Sequence, residues 1–224
     1  MKITIVYDNI TSKPGLIDDW GWACLIETKD RNILFDTGGK GKILLGNMLN
    51  LKIDPISIDD VVISHPDFDH IGGLSTFLNL NQKATIHIPN SFHGIHFPNE
   101  VKSYDKPTEI YKGIFLTGEL DKREQSLAIR TEKGLVLIIG CGHPGINNII
   151  ESISKFGNVF AIIGGLHDFN EFNILEGLEK ICPAHCTKYK KKIKRLNPEK
   201  YIENGVGEII EFSCENIFEL KERI

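Results

Sequence analysis

The sequence predicts an α/β fold, and three observations carry that prediction. Apolar, β-branched runs of strand length recur along the chain, at residues 61–63, 135–140, 159–163 and 181–184. Each feeds a loop, and most of these loops open a segment of helical character. Each loop carries a histidine: His65, His143, His167 and His185 in turn. Loops at the carboxyl ends of strands are where α/β folds place ligands. With 224 residues the chain is long enough for a full core, and we expect one domain over 1–224.

The elements follow in order. Residues 2–8 read as a first strand, and Asp8, Asn9 and the Lys13-Pro14-Gly15 turn follow it. Residues 22–28 and 32–35 read as a hairpin turning at Lys29-Asp30 and ending in Asp36-Thr37-Gly38-Gly39. A helix is expected over 42–50, then a turn at Ile53-Asp54-Pro55, then the strand before His65. A helix over 71–80 and a strand over 84–88 come next. His87 alternates with Ile86 and Ile88, which makes it a surface or packed residue and not a ligand. From 89 to 107 the periodicity is lost, and a loop over a site mouth, with His93 and His96, is expected. Short strands fill 108–118, and 126–131 pairs with 135–140 through Glu132-Lys133-Gly134. A basic helix over 188–195 and a strand over 208–212 close the pattern.

The stretch His65-Pro66-Asp67-Phe68-Asp69-His70-Ile71-Gly72-Gly73 concentrates the chemistry. Pro66 keeps His65 extended, and alternation then turns His65 and Asp67 to one side. Imidazole with carboxylate suits zinc, iron or manganese. A polar turn of this composition beside an apolar strand would be costly without a ligand to bind. Asp36-Thr37-Gly38 is not an aspartic-protease triplet, because that chemistry needs a second carboxylate and the triplet occurs once.

Composition excludes several classes. Hydrophobic content of 41% and charged content of 25% are those of a globular protein, and a net charge of −4 suggests neither nucleic acid nor membrane as partner. No apolar run approaches the ~20 residues of a membrane helix, and the N-terminus reads as a strand rather than a signal peptide. Cys24, Cys141, Cys182, Cys186 and Cys214 are odd in number and scattered, which points to reduced thiols and a cytoplasmic setting.

The motif at His65 resembles the first metal motif of the metallo-β-lactamase fold, with Asp67 where most members carry His. Further along, Asp8-Asn9, Gly21 to Thr28, Ile33 to Gly38, Gly140 to Ile146, Gly164-Gly165-Leu166-His167 and Pro183 to Thr187 occur in the order seen in one branch of that family. That branch includes a dihydropterin-methyl–ribofuranosylaminobenzene phosphate synthase. The resemblance covers roughly residues 1–212. It implies an αββα four-layer sandwich with two mixed sheets. It assigns His65, Asp67 and His143 to one metal and Asp69, His70 and His185 to a second, and Asp36 to a supporting place behind them. Asp69 and His167 fall at catalytic positions, and Asp168, where Leu is usual, is the candidate for a bridging carboxylate.

The resemblance thus implies a hydrolase with a binuclear metal-activated hydroxide and a small anionic substrate, a phosphoester or a carboxylate or lactone. Two divalent ions are expected, zinc first, with manganese or iron as alternatives. A non-haem iron redox or oxygen enzyme on the same fold is the competing reading, weakened by the lack of a flavin domain before Ile224. A non-catalytic ligand-binding member is the third, weakened by the near-complete ligand set.

Overall fold

A computed structural model describes residues 1–94 and 96–213. In it two β-sheets face each other with helices on both outer sides, the αββα sandwich expected. The first sheet has the order β13-β1-β2-β3-β4-β5-β6. Its strands are β1 (Lys2–Tyr7), β2 (Ala23–Glu27), β3 (Asn32–Phe35), β4 (Asp60–Val62), β5 (Thr85–Pro89), β6 (Val101–Tyr104) and β13 (Ile209–Glu211). The second has the order β12-β11-β10-β9-β8-β7. It comprises β7 (Thr108–Tyr111), β8 (Ile114–Leu116), β9 (Leu127–Thr131), β10 (Gly134–Ile139), β11 (Val159–Gly165) and β12 (Lys180–Ala184).

Both sheets are mixed. In the first, β13, β1, β2 and β3 pair antiparallel, and β3 to β6 run parallel. In the second, β7 to β10 pair antiparallel, and β10, β11 and β12 run parallel. Alternation along the strands sorts their side chains. Ile3, Ile5, Cys24, Ile26, Ile33, Phe35 and Val62 face Leu127, Ile129, Val136, Ile138, Ala161 and Ile163 in the shared core between the sheets. The opposite face of the first sheet, with Val6, Leu25, Leu34 and Val61, lies under α1 (Gly41–Asn50) and α3 (Leu74–Leu80). Leu135, Leu137, Ile139 and Ile162 lie under α4 (Ile146–Ile153) and α5 (Lys190–Leu196). Strands buried on both faces explain why β4, β10 and β11 read as unbroken apolar runs instead of alternating ones.

Two expectations are corrected. The helix expected over 71–80 is two: α2 (Phe68–Ile71) starts three residues earlier, and α3 follows the Gly72-Gly73 break. Glycine is a poor helix interior, and here close approach demands it: a Cβ on Gly72 would stand 2.2 Å from the Gly39 carbonyl oxygen. The segment 89–107 is not all loop. Its end forms β6, which pairs parallel with β5 at the sheet's edge. Its half-exposed, alternating residues, Val101-Lys102-Ser103-Tyr104, lack the apolar run that marks a central strand. His93 and His96 are exposed and join no ligand group among the described residues. His87 is buried, with Nε2 2.9 Å from Asp60 Oδ1 and Nδ1 3.1 Å from the Tyr104 hydroxyl.

Cys24, Cys141, Cys182 and Cys186 are free thiols, and Cys214 lies outside the described residues. Among the described residues no helix is long and apolar enough to cross a membrane. Gly72→Ala should lower stability by about 1–3 kcal/mol through forced displacement of the Gly39 backbone, read as a shift of the urea midpoint; an unchanged midpoint would show that this contact is not tight.

Candidate metal centre

The topology assembles the site from several loops. β10, β11 and β12 are parallel neighbours, so the loops bearing His143, His167 and His185 leave the second sheet at one end. The histidine-bearing strand ends do not all lie side by side, since β4, which leads to His65, belongs to the first sheet. The residues following β4, β10 and β12 meet across the mouth of the sandwich.

Among the described residues four overlapping donor groups result, two of them without a cysteine. His65, Asp67 and His143 form the first, and Asp69, His70 and His185 the second, each with its ligand atoms within 4.8 Å of one another. His65 Nε2 stands 3.4 Å from Asp67 Oδ2, and His143 Nε2 stands 3.9 Å from the same oxygen. Asp69 Oδ2 lies 3.1 Å from His185 Nε2 and 3.9 Å from His70 Nε2. The imidazoles of His65 and His70 are 4.0 Å apart, centre to centre, which brings the two groups together. Each group is two imidazoles and one carboxylate.

Hydrogen bonds behind the rings set their tautomers. Asp36 is buried at the end of β3 and receives the Ser64 N–H at 2.7 Å on Oδ1. The Ser64 hydroxyl donates to Asp36 Oδ2 at 2.7 Å, and His70 Nδ1 donates to that oxygen at 2.7 Å. With its proton committed, Ser64 Oγ accepts from His65 Nδ1 at 2.8 Å. At His185, Nδ1 donates to Asn9 Oδ1 at 3.1 Å, while the backbone N–H reaches Asp8 Oδ1 at 3.2 Å. All three rings therefore turn a bare Nε2 toward the cleft, the arrangement a metal-binding histidine needs. Nε2 of His65 and of His185 are buried without a hydrogen-bond partner among the described residues. Such orphaned acceptors carry a cost unless something completes them, so the donor set fits divalent ions.

Electrostatics agrees. Burial, with the neighbouring His185, pushes His70 down to about 3. Burial and the Arg123 guanidinium bring His143 to about 4, and burial beside His70 lowers His65 further. Burial alone would raise the Asp69 carboxyl, but the His185 and His70 imidazoles hold it well below the usual carboxylate range. Burial pushes Asp36 well above that range, against the pull of Ser64. Neutral imidazoles and an ionised Asp69 are the forms that bind metal.

Three site residues hold left-handed backbone: Asp36 (φ 55°), His167 (φ 44°) and His185 (φ 45°). Such conformations cost about 1–3 kcal/mol each and collect at functional sites. His167 stands half-exposed at the rim, its ring 5.0 Å from that of His143. Asp168 is not brought among the donors. Its side chain is 80% exposed, and its carboxylate lies 3.4 Å from His167 Nδ1.

Several residues escape a sequence reading. Arg123 sends Nη2 to within 3.0 Å of Asp67 Oδ2 and 3.3 Å of His143 Nε2. Glu124 is fully buried, and its carboxylate accepts the backbone N–H groups of Cys141, Gly142 and His143 at 2.9–3.0 Å, which shapes the loop that aims His143. Gln125 Nε2 donates to the Ile63 and His87 carbonyls, tying this segment to β4 and β5. Trp20 is 58% exposed, with its ring 4.9 Å from that of His185. Cys141 Sγ lies 3.3 Å from His70 Nε2. The only sequence signal was the position of Cys141 between a strand and His143; Arg123 and Glu124 sit in a charged turn that looks like solvated surface.

A model of the metallo-beta-lactamase superfamily matches residues 21–152. A 7,8-dihydropterin-6-methyl-4-(beta-D-ribofuranosyl)-aminobenzene-5'-phosphate synthase of Methanocaldococcus jannaschii is 29% identical, over 86% of this chain and 90% of that one. An uncharacterized protein of the same organism is 27% identical, over 93% of this chain and 99% of its own length. The crystal structure of a metal-dependent hydrolase of the beta-lactamase superfamily superimposes with a TM-score of 0.78 at 27% identity, covering 95% of this chain and 99% of that one.

Two predictions follow from the geometry. Asp36→Asn cannot accept from both Ser64 and His70 in the same way, so metal affinity should fall roughly 10–100-fold in a chelator competition, and an unchanged affinity would detach Asp36 from the site. In metal-free protein, His143 titrates near 4 when folded against 6.5 in the open chain. Between those values the unfolded chain holds protons that the folded chain does not, so stability should rise with pH across the window and level off above it. Denaturant midpoints that stay flat from pH 4.5 to about 6.5 would contradict the burial of these rings.

Proposed function

The chain belongs to the metallo-β-lactamase superfamily, and from that premise we propose that it is a metal-dependent hydrolase of a small anionic substrate, a phosphoester or a carboxylic ester such as a lactone. The observation that carries the proposal is the convergence of two groups, each of two imidazoles and a carboxylate, in which the buried Nε2 atoms of His65 and His185 have no hydrogen-bond partner among the described residues. Divalent ions bound there supply Lewis acidity and bring the pKa of a water toward neutrality.

The chain's own residues do the rest. His65, Asp67 and His143 would hold one ion, and Asp69, His70 and His185 the other; zinc is our first choice, as neutral imidazole with carboxylate suits it. Asp69, kept ionised beside His185 and His70, orients the attacking oxygen by accepting a hydrogen bond. His167, half-exposed at the rim beside Asp168, is placed to exchange a proton with the leaving group. Arg123, 48% exposed, presents a cation at the mouth. Lys188, exposed, is tied to the rim through its N–H to the His167 carbonyl at 2.8 Å. Divalent ions bound at the two groups would favour an anion. The 29%-identical synthase is named for a 5'-phosphate product, which supports a phosphate-bearing substrate here.

The donor sets also favour a second reading. Two imidazoles with one carboxylate are the ligands of non-haem iron sites, so a redox or oxygen enzyme remains the alternative. Elemental analysis of protein purified without added metal, with a phosphodiesterase and lactonase panel, separates them: zinc with ester turnover supports the hydrolase, iron with oxygen uptake the alternative. His65→Ala, His70→Ala and His185→Ala should each lower metal content and abolish turnover with the circular dichroism spectrum unchanged. Full metal stoichiometry in all three would defeat the assignment.

A further inference from the structure

We propose that the Arg123 guanidinium is a built-in competitor for the first donor group, so that the two groups take up metal unequally; this rests on the metal-enzyme reading above. Arg123 Nη2 lies 3.0 Å from Asp67 Oδ2 and 3.3 Å from His143 Nε2. These are two of the atoms that make the first group, since Asp67 Oδ2 also stands 3.4 Å from His65 Nε2 and 3.9 Å from His143 Nε2. A guanidinium has donors only, so both atoms spend a lone pair on it. An ion held by Asp67 and His143 needs those lone pairs. The second group has no such rival. Among the described residues the Asp69 carboxylate has only His70 and His185 as ion-pair partners. The charge of Asp67 is matched by a permanent cation and that of Asp69 is not, so a divalent ion is drawn more strongly to the second group.

The fold sets the guanidinium there by its backbone. Asp121 (φ 51°) and Lys122 (φ 52°) are left-handed, and the Arg123 N–H returns to the Leu120 carbonyl at 3.0 Å, which closes a tight turn. Glu124, next in the chain, grips the loop of His143 through three backbone N–H groups. Gln125 grips the other side, where its N–H donates at 2.9 Å to the carbonyl of Ser64, the residue before His65. Arg123 therefore leaves a turn fastened to both halves of the first group. An ordinary surface pair would engage the carboxylate alone; this one takes the imidazole acceptor as well. The Arg123 and Asp67 side chains are 48% and 47% exposed. A pair so wet is weak, and the guanidinium is displaced into water rather than locked in place.

Loading exchanges one cation for another at Asp67 and His143, and the guanidinium keeps its protons throughout. The sign of the effect separates this role from a supporting one. Removing a residue that merely held Asp67 and His143 in position would weaken metal binding. Removing a competitor tightens it.

Metal uptake decides the matter without turnover. Protein stripped with chelator is titrated with zinc in a calorimeter, and circular dichroism verifies that each variant is folded. We expect a tight event and a weaker one in the unaltered protein. In Arg123→Ala the weaker event should tighten by roughly 3–10-fold, with the tight event unchanged. A single event in the unaltered protein and two in Arg123→Ala is the same result under stronger competition. Arg123→Gln repeats the measurement with the bulk kept and the charge removed, should the alanine variant fold poorly. His143→Ala should delete the weak event and His185→Ala the tight one. Two events whose weaker member is unchanged or weakened in both Arg123 variants would overturn the competitor while sparing the metal centre. Loss of the tight event in His143→Ala would overturn the order of loading. Failure of the unaltered protein to take up zinc at all would overturn the metal reading itself, and this inference with it.

Discussion

The hydrogen-bond chain from His65 through Ser64 to Asp36 and back to His70 is the constraint on which the site depends. It joins the end of β3 to the loop after β4 inside a dry interior. In such surroundings an unmade hydrogen bond costs more than a made one contributes, so these groups have one acceptable arrangement. That arrangement settles two imidazole tautomers and turns both Nε2 atoms the same way. The Asp36 backbone is held left-handed to make the contact. The strain is tolerated because the Asp36 N–H bonds the Val62 carbonyl at 2.8 Å and the carboxylate takes three donors.

The second sheet answers with a different device. Its loops are short extensions of three parallel strands, so their positions follow from strand register. Where Asp36 binds the His70 ring directly, Glu124 acts through the backbone: its buried carboxylate gathers the N–H groups of Cys141, Gly142 and His143 and shapes the loop that carries His143. Asp8 and Asn9, at the end of β1, secure the loop of His185, and Asn204 Nδ2 donates to Asp8 Oδ2 at 2.7 Å from beyond the second sheet. The donors thus rest on supports drawn from both sheets, and the centre belongs to the sandwich rather than to any one motif.

Arg123 and Asp67 belong together in this picture. The Asp67 carboxylate brings a negative charge to the first group, and the Arg123 guanidinium lies 3.0 Å from it. The pair is half-exposed, so its contribution to stability is small. Its geometric effect is more direct, since the same guanidinium reaches His143 Nε2 at 3.3 Å and ties the two residues together.

What the sequence by itself determined was local or strictly periodic. Apolar β-branched runs marked β4, β10, β11 and β12, and the turn residues after them marked the loops, because burial on both faces of a strand leaves a compositional trace. The clustering of His65, Asp67, Asp69 and His70 within six positions was visible for the same reason: neighbours in the chain are neighbours in space. Only the tertiary structure decided which distant residues meet. Arg123 and Glu124 act on loops that are remote in sequence, and a buried carboxylate whose partners are backbone N–H groups leaves no pattern in residue type. The edge strand β6 was hidden because half of its surface meets solvent. Cys141, after β10, and Cys186, after β12, bring their sulfurs to 3.2 Å because Gly165 of the intervening β11 leaves the gap open, a condition that exists only once three strands lie in register.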